Sequence, residues 1–222
     1  TEHPFYGSRR LTAYLKGLGN PVCRDKVRRL MGVMGIEAVY QKPRLSIPNQ
    51  SHAVYPYLLR GVAIERCNQV WSTDITYIRM RNGFLYLTAV IDWYSRYTLS
   101  WGLSNTLDGE FCREVVLEAL KLGKPEVFNV DQGPQFTCRE LVELIPGPGI
   151  KLSMDGKGRR IDNVFIERLW RTVKYEEVFL KDYVDGMDAH HSLGTFFKFY
   201  NNERLHQSLG YIPPRDLYLR GC

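Results

Sequence analysis

The sequence lacks any run approaching the 18 or more consecutive apolar residues that a membrane span requires; VFNV and YLTAVI, among its apolar stretches, are strand-length. The opening TEHPFYGSRR has no apolar run behind its charges, which argues against a secretory signal. CxxC spacing is absent. The five cysteines, Cys23, Cys67, Cys112, Cys138 and Cys222, are odd in number and scattered. That usage fits reduced thiols in a cytosolic protein and gives little support to a structural zinc site. Histidine adds no metal motif, since His190 and His191 are adjacent and H-E-x-x-H does not occur. Internal repeats and low-complexity tracts are also missing. What is present is 222 residues, 44% of them hydrophobic. This is enough for a real core, in one large domain or in a small one plus a large one.

Charge is unevenly spread. Residues 1–60 carry ten Lys/Arg against three Asp/Glu, a balance of +7, whereas residues 61–222 carry twenty against twenty-one, a balance of −1. A basic N-terminal module that binds a polyanion explains this economically. A solvated basic surface is the alternative.

Two helices are expected in the first 45 residues. In SRRLTAYLKGLG, Leu11, Leu15 and Leu18 recur at helix spacing with Ser8 as the expected cap. In CRDKVRRLMGVMGI, Val27, Leu30, Met31 and Met34 form an apolar stripe while Arg24, Lys26, Arg28 and Arg29 crowd the other faces. The GLGNP connector is a turn signal. Together these describe a helix-turn-helix, or a plain helical hairpin. Residues 41–60 have linker composition, with three prolines and little periodicity. The expected organisation is therefore a helical module over 1–45, a linker over 46–61 and a larger domain over 62–222.

Beyond the linker the pattern changes. QVWSTDITYIRM, GFLYLTAVIDWYSR and YTLSWGLS read as three strands with short connections, an antiparallel meander. A helix (GEFCREVVLEALKLG), a strand (EVFNVD), a helix near CRELVELI and a strand (IKLSMD) follow. Next come a long helix from Asp162 to about Phe179, a further helical stretch over MDAHHSLGTFFKFYNNERLHQSL and a loop at YIPP. Such an order makes a mixed α/β sheet covered by helices.

Three carboxylates stand out within this pattern. Asp74 interrupts an otherwise well-packed strand, where charge is depleted. Asp131 ends the short strand VFNVD beside a glycine turn, a place where α/β folds assemble sites. Glu167 lies in the long helix, flanked at helix spacing by Asn163 and Arg171. Two divalent ions roughly 4 Å apart can activate an attacking oxygen and stabilise a departing one in phosphodiester chemistry, provided carboxylates hold them. Mg²⁺ in particular takes hard oxygen ligands and keeps several waters, so few carboxylates suffice. Taken singly, each acid has a bland reading: a turn former at Asp131, a solvated helix face or salt bridge at Glu167. Spacing alone does not distinguish these.

The segments WSTDITY, FLYLTAVIDWYSR, VDQGPQF, DGKGRRIDNVFIERLWRTVKYE and YNNERLHQSLGYIPP together resemble the integrase-core transposases of bacterial insertion sequences. YGSRRLTAYL and CRDKVRRLMGVMGI look like that family's N-terminal helix-turn-helix region. The resemblance covers essentially the whole chain, and 35 residues separate Asp131 from Glu167, as in the family's acidic triad. It implies a ribonuclease H-like fold, with Asp74, Asp131 and Glu167 as catalytic residues and as ligands of two Mg²⁺ ions, Mn²⁺ substituting. It implies double-stranded DNA as partner, both transposon ends and target, and self-association into a dimer or higher synaptic assembly. It further implies no membrane partner and a location in the bacterial cytoplasm, at the nucleoid. Arg24, Arg28 and Arg29 are the expected DNA contacts of the basic module. Lys174, seven residues after Glu167, resembles a basic residue that reaches DNA near the site. Asp92 matches a motif position read here as structural, through Arg96 or by capping a turn. His206 is expected to be non-catalytic, making a loop or helix-end hydrogen bond, with a contact to DNA as the alternative.

Two departures from the family pattern are visible. GKGRRI precedes the Asp162–Asn163 pair in place of an aromatic approach, and Val164, Phe165 and Ile166 follow it in place of small residues. The implied reaction is metal-dependent end cleavage followed by strand transfer. A hydrolysis-only nuclease of the same fold and a non-catalytic DNA-binding descendant are the rivals.

Overall fold

The computed structural model describes residues 4–38, 55–131, 145, 149–155 and 163–221. The chain divides into two compact units, Thr1–Gln50 and Ser51–Cys222.

In the smaller unit, α1 spans Ser8–Gly17 and α2 spans Arg24–Val33. Ser8 does not cap α1. Gly7 occupies the cap position in extended backbone, and Ser8 is the first helical residue, its carbonyl accepting the Thr12 hydroxyl at 2.6 Å. The helix closes where Gly19 turns left-handed (φ 83°) and the Asn20 amide returns to the Leu15 carbonyl at 2.9 Å, a conformation that glycine adopts without a Cβ clash. Asp25 sits in the first turn of α2, where a negative charge complements the helix dipole. The expected apolar stripe is only partly used. Val27 is the buried residue of α2, while Leu30 and Met34 stay exposed.

The larger unit is built on a five-stranded sheet of order β3-β2-β1-β4-β5. The strands are β1 (Val70–Arg79), β2 (Phe84–Asp92), β3 (Thr98–Ser104), β4 (Val127–Val130) and β5 (Lys151–Met154). β1, β2 and β3 form the expected antiparallel meander, and β4 and β5 add in parallel on the other side of β1. Between them runs α3 (Gly109–Leu120), capped by Asp108, which accepts the Phe111 amide at 2.9 Å. After β5 come α4 (Val164–Glu176), a 3₁₀ turn at Val178–Leu180 and α5 (Gly186–Asn202). A 3₁₀ turn at Gln207–Leu209 and α6 (Pro214–Gly221) complete the described elements.

Strand alternation sorts the core into two faces. Val70, Ile78, Leu87, Ala89 and Ile91 pack with Ile166, Leu169, Trp170 and Val173 of α4 and with Leu193 and Phe197 of α5. Trp71, Val90, Phe128 and Val130 pack on the opposite face with Cys112, Val116 and Ala119 of α3 and Tyr218 of α6.

Three sequence expectations need correction or fall outside the description. The long helix is shorter than expected, since Glu177 leaves helical geometry and a 3₁₀ turn follows; Asp162 lies outside the described residues. The YIPP loop is not simply a loop, because Pro214 opens α6. Proline suits that first position, where its missing N–H costs nothing. The helix expected near CRELVELI lies outside the described residues except for Ile145, which is buried.

Candidate active site

Register explains how distant acids meet. β1 and β4 run parallel with Val70 opposite Val127, Trp71 opposite Phe128 and Ser72 opposite Asn129. Continued by two residues, the same register sets Asp131 level with Asp74 on the neighbouring strand. Alternation then gives Val70, Ser72 and Asp74 a common face, and neighbouring strands lie about 4.8 Å apart. That face is the one α4 covers. Along α4, Ile166, Leu169, Trp170 and Val173 are buried at the i, i+3, i+4, i+7 spacing of an amphipathic helix. Glu167, next to that stripe, is exposed.

A hydrogen bond ties strand to helix. The Trp170 indole Nε1 donates to Asp74 Oδ2 at 2.9 Å. Burial raises the Asp74 carboxyl to about 6. The Trp170 bond and a backbone bond at Ile75 act against that rise, and the negative charges of Asp131 and Glu167 add to it. Asp131 and Glu167 therefore both lie within electrostatic range of Asp74. Among the described residues, no group of three or more His, Cys, Asp or Glu side chains is arranged to hold a metal ion. The donor chemistry still fits a hard divalent cation. The set is all carboxylate, and like charge around a half-buried Asp74 is what such an ion relieves.

Sequence reasoning missed a fourth acid. β4 and β5 pair Val130 with Met154, so Asp155 follows in register with Asp131. Its Oδ1 accepts Asn129 Nδ2 at 2.7 Å, and its amide donates to the Val130 carbonyl at 3.0 Å. The signal was available, since SMD ends its strand as FNVD ends the other.

The remaining candidates separate clearly. Asp92 caps a turn: its Oδ1 accepts the Asn68 amide at 2.8 Å, and its Oδ2 accepts the Ser95 amide at 2.8 Å and the Ser95 hydroxyl at 2.6 Å. Arg96, left-handed at φ 63°, lays its guanidinium 3.6 Å from the Phe165 ring centre. Phe165 also packs edge-on to Trp93 at 4.8 Å, which accounts for a large residue soon after Asn163. Glu176 pairs with Arg204 through two bonds of 2.7 and 2.6 Å. Glu177 is buried, accepting from Tyr183, Ser192 and Lys181. Lys174 shares α4 with Glu167 and is half-buried. Arg24, Arg28 and Arg29 are exposed on α2, in the smaller unit. His206 caps no helix with its side chain; its ring stands edge-on to Tyr200 at 4.9 Å and its carbonyl accepts the Tyr211 amide at 2.8 Å.

Comparison with known proteins bears on this arrangement. Two family models described as integrase core domain match residues 65–160 and 148–214, and one described as HTH-like domain matches residues 1–44. The chain is 28% identical to a transposase for insertion sequence element IS629 from Shigella sonnei, over 96% of this chain and 74% of that one. It is also 28% identical to the transposase for IS904 from Lactococcus lactis subsp. lactis, over 95% and 86%. Among solved structures, the catalytic core domain of HTLV-2 integrase in complex with magnesium aligns with a TM-score of 0.56 at 18% identity, covering 69% of this chain and 97% of that one. A chain of the simian T-cell lymphotropic virus intasome aligns with a TM-score of 0.60 at 16% identity, covering 96% and 74%. These neighbours share the ribonuclease H-like integrase fold. The chain thus carries integrase core domain sequence from residue 65 to residue 214 behind an HTH-like domain over residues 1–44.

Proposed function

We propose that this chain is a DDE-type DNA transposase, a polynucleotidyl transferase in which Asp74, Asp131 and Glu167 are the catalytic carboxylates. Water attacks a phosphodiester at a transposon end and releases a 3′-hydroxyl. That hydroxyl then displaces the bridging oxygen of a target phosphodiester. Integrase-core proteins of this type generally use divalent metals, and the three carboxylates here are the groups that would hold two Mg²⁺ or Mn²⁺ ions. Bound there, the ions would activate the attacking oxygen and stabilise the departing one.

The observation that carries this reading is the electrostatic meeting of Asp74 with Asp131 and Glu167 on the α4 face of the sheet. Trp170, itself buried, holds the Asp74 carboxylate in one orientation, and the α4 backbone carries Glu167 beside it. Orientation fixed before substrate arrives avoids reorganisation during the reaction. The HTH-like module, with exposed Arg24, Arg28 and Arg29, supplies duplex affinity at transposon ends, and Lys174 contacts DNA beside the site. Holding two ends at once requires more than one copy, so the working form is a dimer or higher assembly. Its place is on bacterial DNA in the nucleoid.

The test is cleavage and strand transfer on labelled end substrates with Mg²⁺ or Mn²⁺. Asp74→Asn, Asp131→Asn and Glu167→Gln should each abolish both reactions while folding and DNA affinity persist. Normal turnover in all three variants would refute the enzyme reading.

A further inference from the structure

A second constellation lies on the flank of α4 beside Glu167. A cavity of about 600 Å³ is lined by Arg96, Arg168, Arg171, Arg204 and His206, with Glu176 as its one acid. Four arginines against one glutamate leave a charge of +3. Glu176 is committed to Arg204. Arg171 lies over Tyr175 at 5.9 Å and Arg96 over Phe165, so aromatic faces support both, with Asp92 a further charge partner of Arg96. Two polar atoms are shielded from solvent with no hydrogen-bond partner among the described residues: Nη1 of Arg96 and Nε2 of His206, both from residues that line the cavity. A buried polar group left unpaired costs free energy, so a cluster of cations with two orphaned nitrogens calls for an anion.

We propose that this cavity is a phosphate-binding pocket that takes a DNA backbone phosphate next to the catalytic site. The guanidinium fork matches phosphate oxygens bidentately, which favours phosphate over a diffuse counter-ion. Position favours DNA as its source. Arg168 follows Glu167 directly, and Arg171 stands one turn further along the same helix, at the edge between the two flanks. A duplex seated on the carboxylates therefore meets this rim. Burial, then the neighbouring charges of Arg204 and Arg96, depress His206 to about 4, with the charge of Glu176 acting against them. The DNA assignment rests on the transposase reading; phosphate binding by the pocket does not.

The experiment uses the full chain and the double variant Arg168→Gln/Arg171→Gln, whose residues contribute no hydrogen bond to the core. Arg113→Gln/Lys121→Gln, on α3 and at its C-terminal cap, removes the same charge elsewhere. Duplex affinity is measured against salt, and the His206 ring resonances are followed while inorganic phosphate, a short duplex or an acidic peptide is added. The pocket variant should lower affinity roughly tenfold and flatten log K against log salt by about 1 to 2, one for each phosphate it no longer neutralises. The α3 control should leave the slope unchanged, and phosphate and duplex should both shift His206. Equal slopes in the two variants would overturn the pocket. A His206 signal that moves only with the acidic peptide would overturn it as well. Phosphate shifting His206 without any effect of duplex would overturn the DNA assignment alone. Loss of cleavage in the carboxylate variants is scored separately, so failure of the enzyme reading leaves these binding results interpretable.

Discussion

The indole of Trp170 reaches across 96 residues of sequence to donate to Asp74 Oδ2 at 2.9 Å, three residues after Glu167 on the same helix. Through it Asp74 and the helix that carries Glu167 share one joint. Trp170→Phe keeps most of the buried ring and removes the donor. A hydrogen bond to a charged group contributes about 1.5–3 kcal/mol, so cleavage should fall roughly tenfold or more. Half-saturation should also move to higher Mg²⁺ concentration, with the far-ultraviolet circular dichroism spectrum unchanged. Full activity at unchanged Mg²⁺ demand would show that the joint is merely structural.

Asp92 and Glu177 test the opposite case, acids that serve the fold. Asp92→Asn sets an amide against the Asn68 and Ser95 amides that now donate to it, and Glu177→Gln weakens the bonds from Tyr183, Ser192 and Lys181. Each should lower stability by about 1–3 kcal/mol while the folded fraction still cuts DNA. Thermal unfolding and single-turnover cleavage, run on the same preparations, separate the two effects. Cleavage lost without any drop in melting temperature would move either residue into the catalytic set.

His206 gives a pH dependence. Burial, then the charges of Arg204 and Arg96, lowers it from 6.5 to about 4. Between those values the unfolded chain takes a proton that the folded chain refuses. This contribution to stability is therefore whole above about 6.5 and declines as pH falls towards 4. Asp74, raised to about 6, pulls the other way. The measurement is consequently the difference in melting temperature between His206→Gln and the parent chain, followed from pH 7 to pH 4. That difference should change across the window; a constant offset would contradict the buried neutral state. The same variant should keep turnover on a pre-cut substrate within about tenfold, a ratio equivalent to about 1.4 kcal/mol.

The basic helical module is tested by charge alone. Arg24, Arg28 and Arg29 are exposed on α2, and neutralising all three should flatten the salt dependence of duplex binding by up to about 3. Fluorescence anisotropy at several salt concentrations reads this directly. An unchanged slope would place the DNA-contacting surface elsewhere.

Local periodicity, turn chemistry and charge distribution are enough to order the five strands and most of the described helices of the larger unit and to mark off the basic helices ahead of it. These properties act over a few residues, where side-chain spacing and backbone sterics dominate. Motif resemblance then singles out Asp74, Asp131 and Glu167. Ser8 and Pro214 depart from expectation even at this range, because a cap and a helix start each depend on which neighbouring amide is left unpaired. Everything that brings the acids near one another comes from tertiary structure. The parallel register between β1 and β4 decides that Asp131 stands level with Asp74, and the β5 register adds Asp155. Packing of α4 decides that Trp170 meets Asp74. Pairing with Arg204 occupies Glu176, and burial beside Tyr183 and Ser192 occupies Glu177. Strand register and long-range hydrogen bonds depend on which distant surfaces pack together, and no spacing within a single segment carries that information.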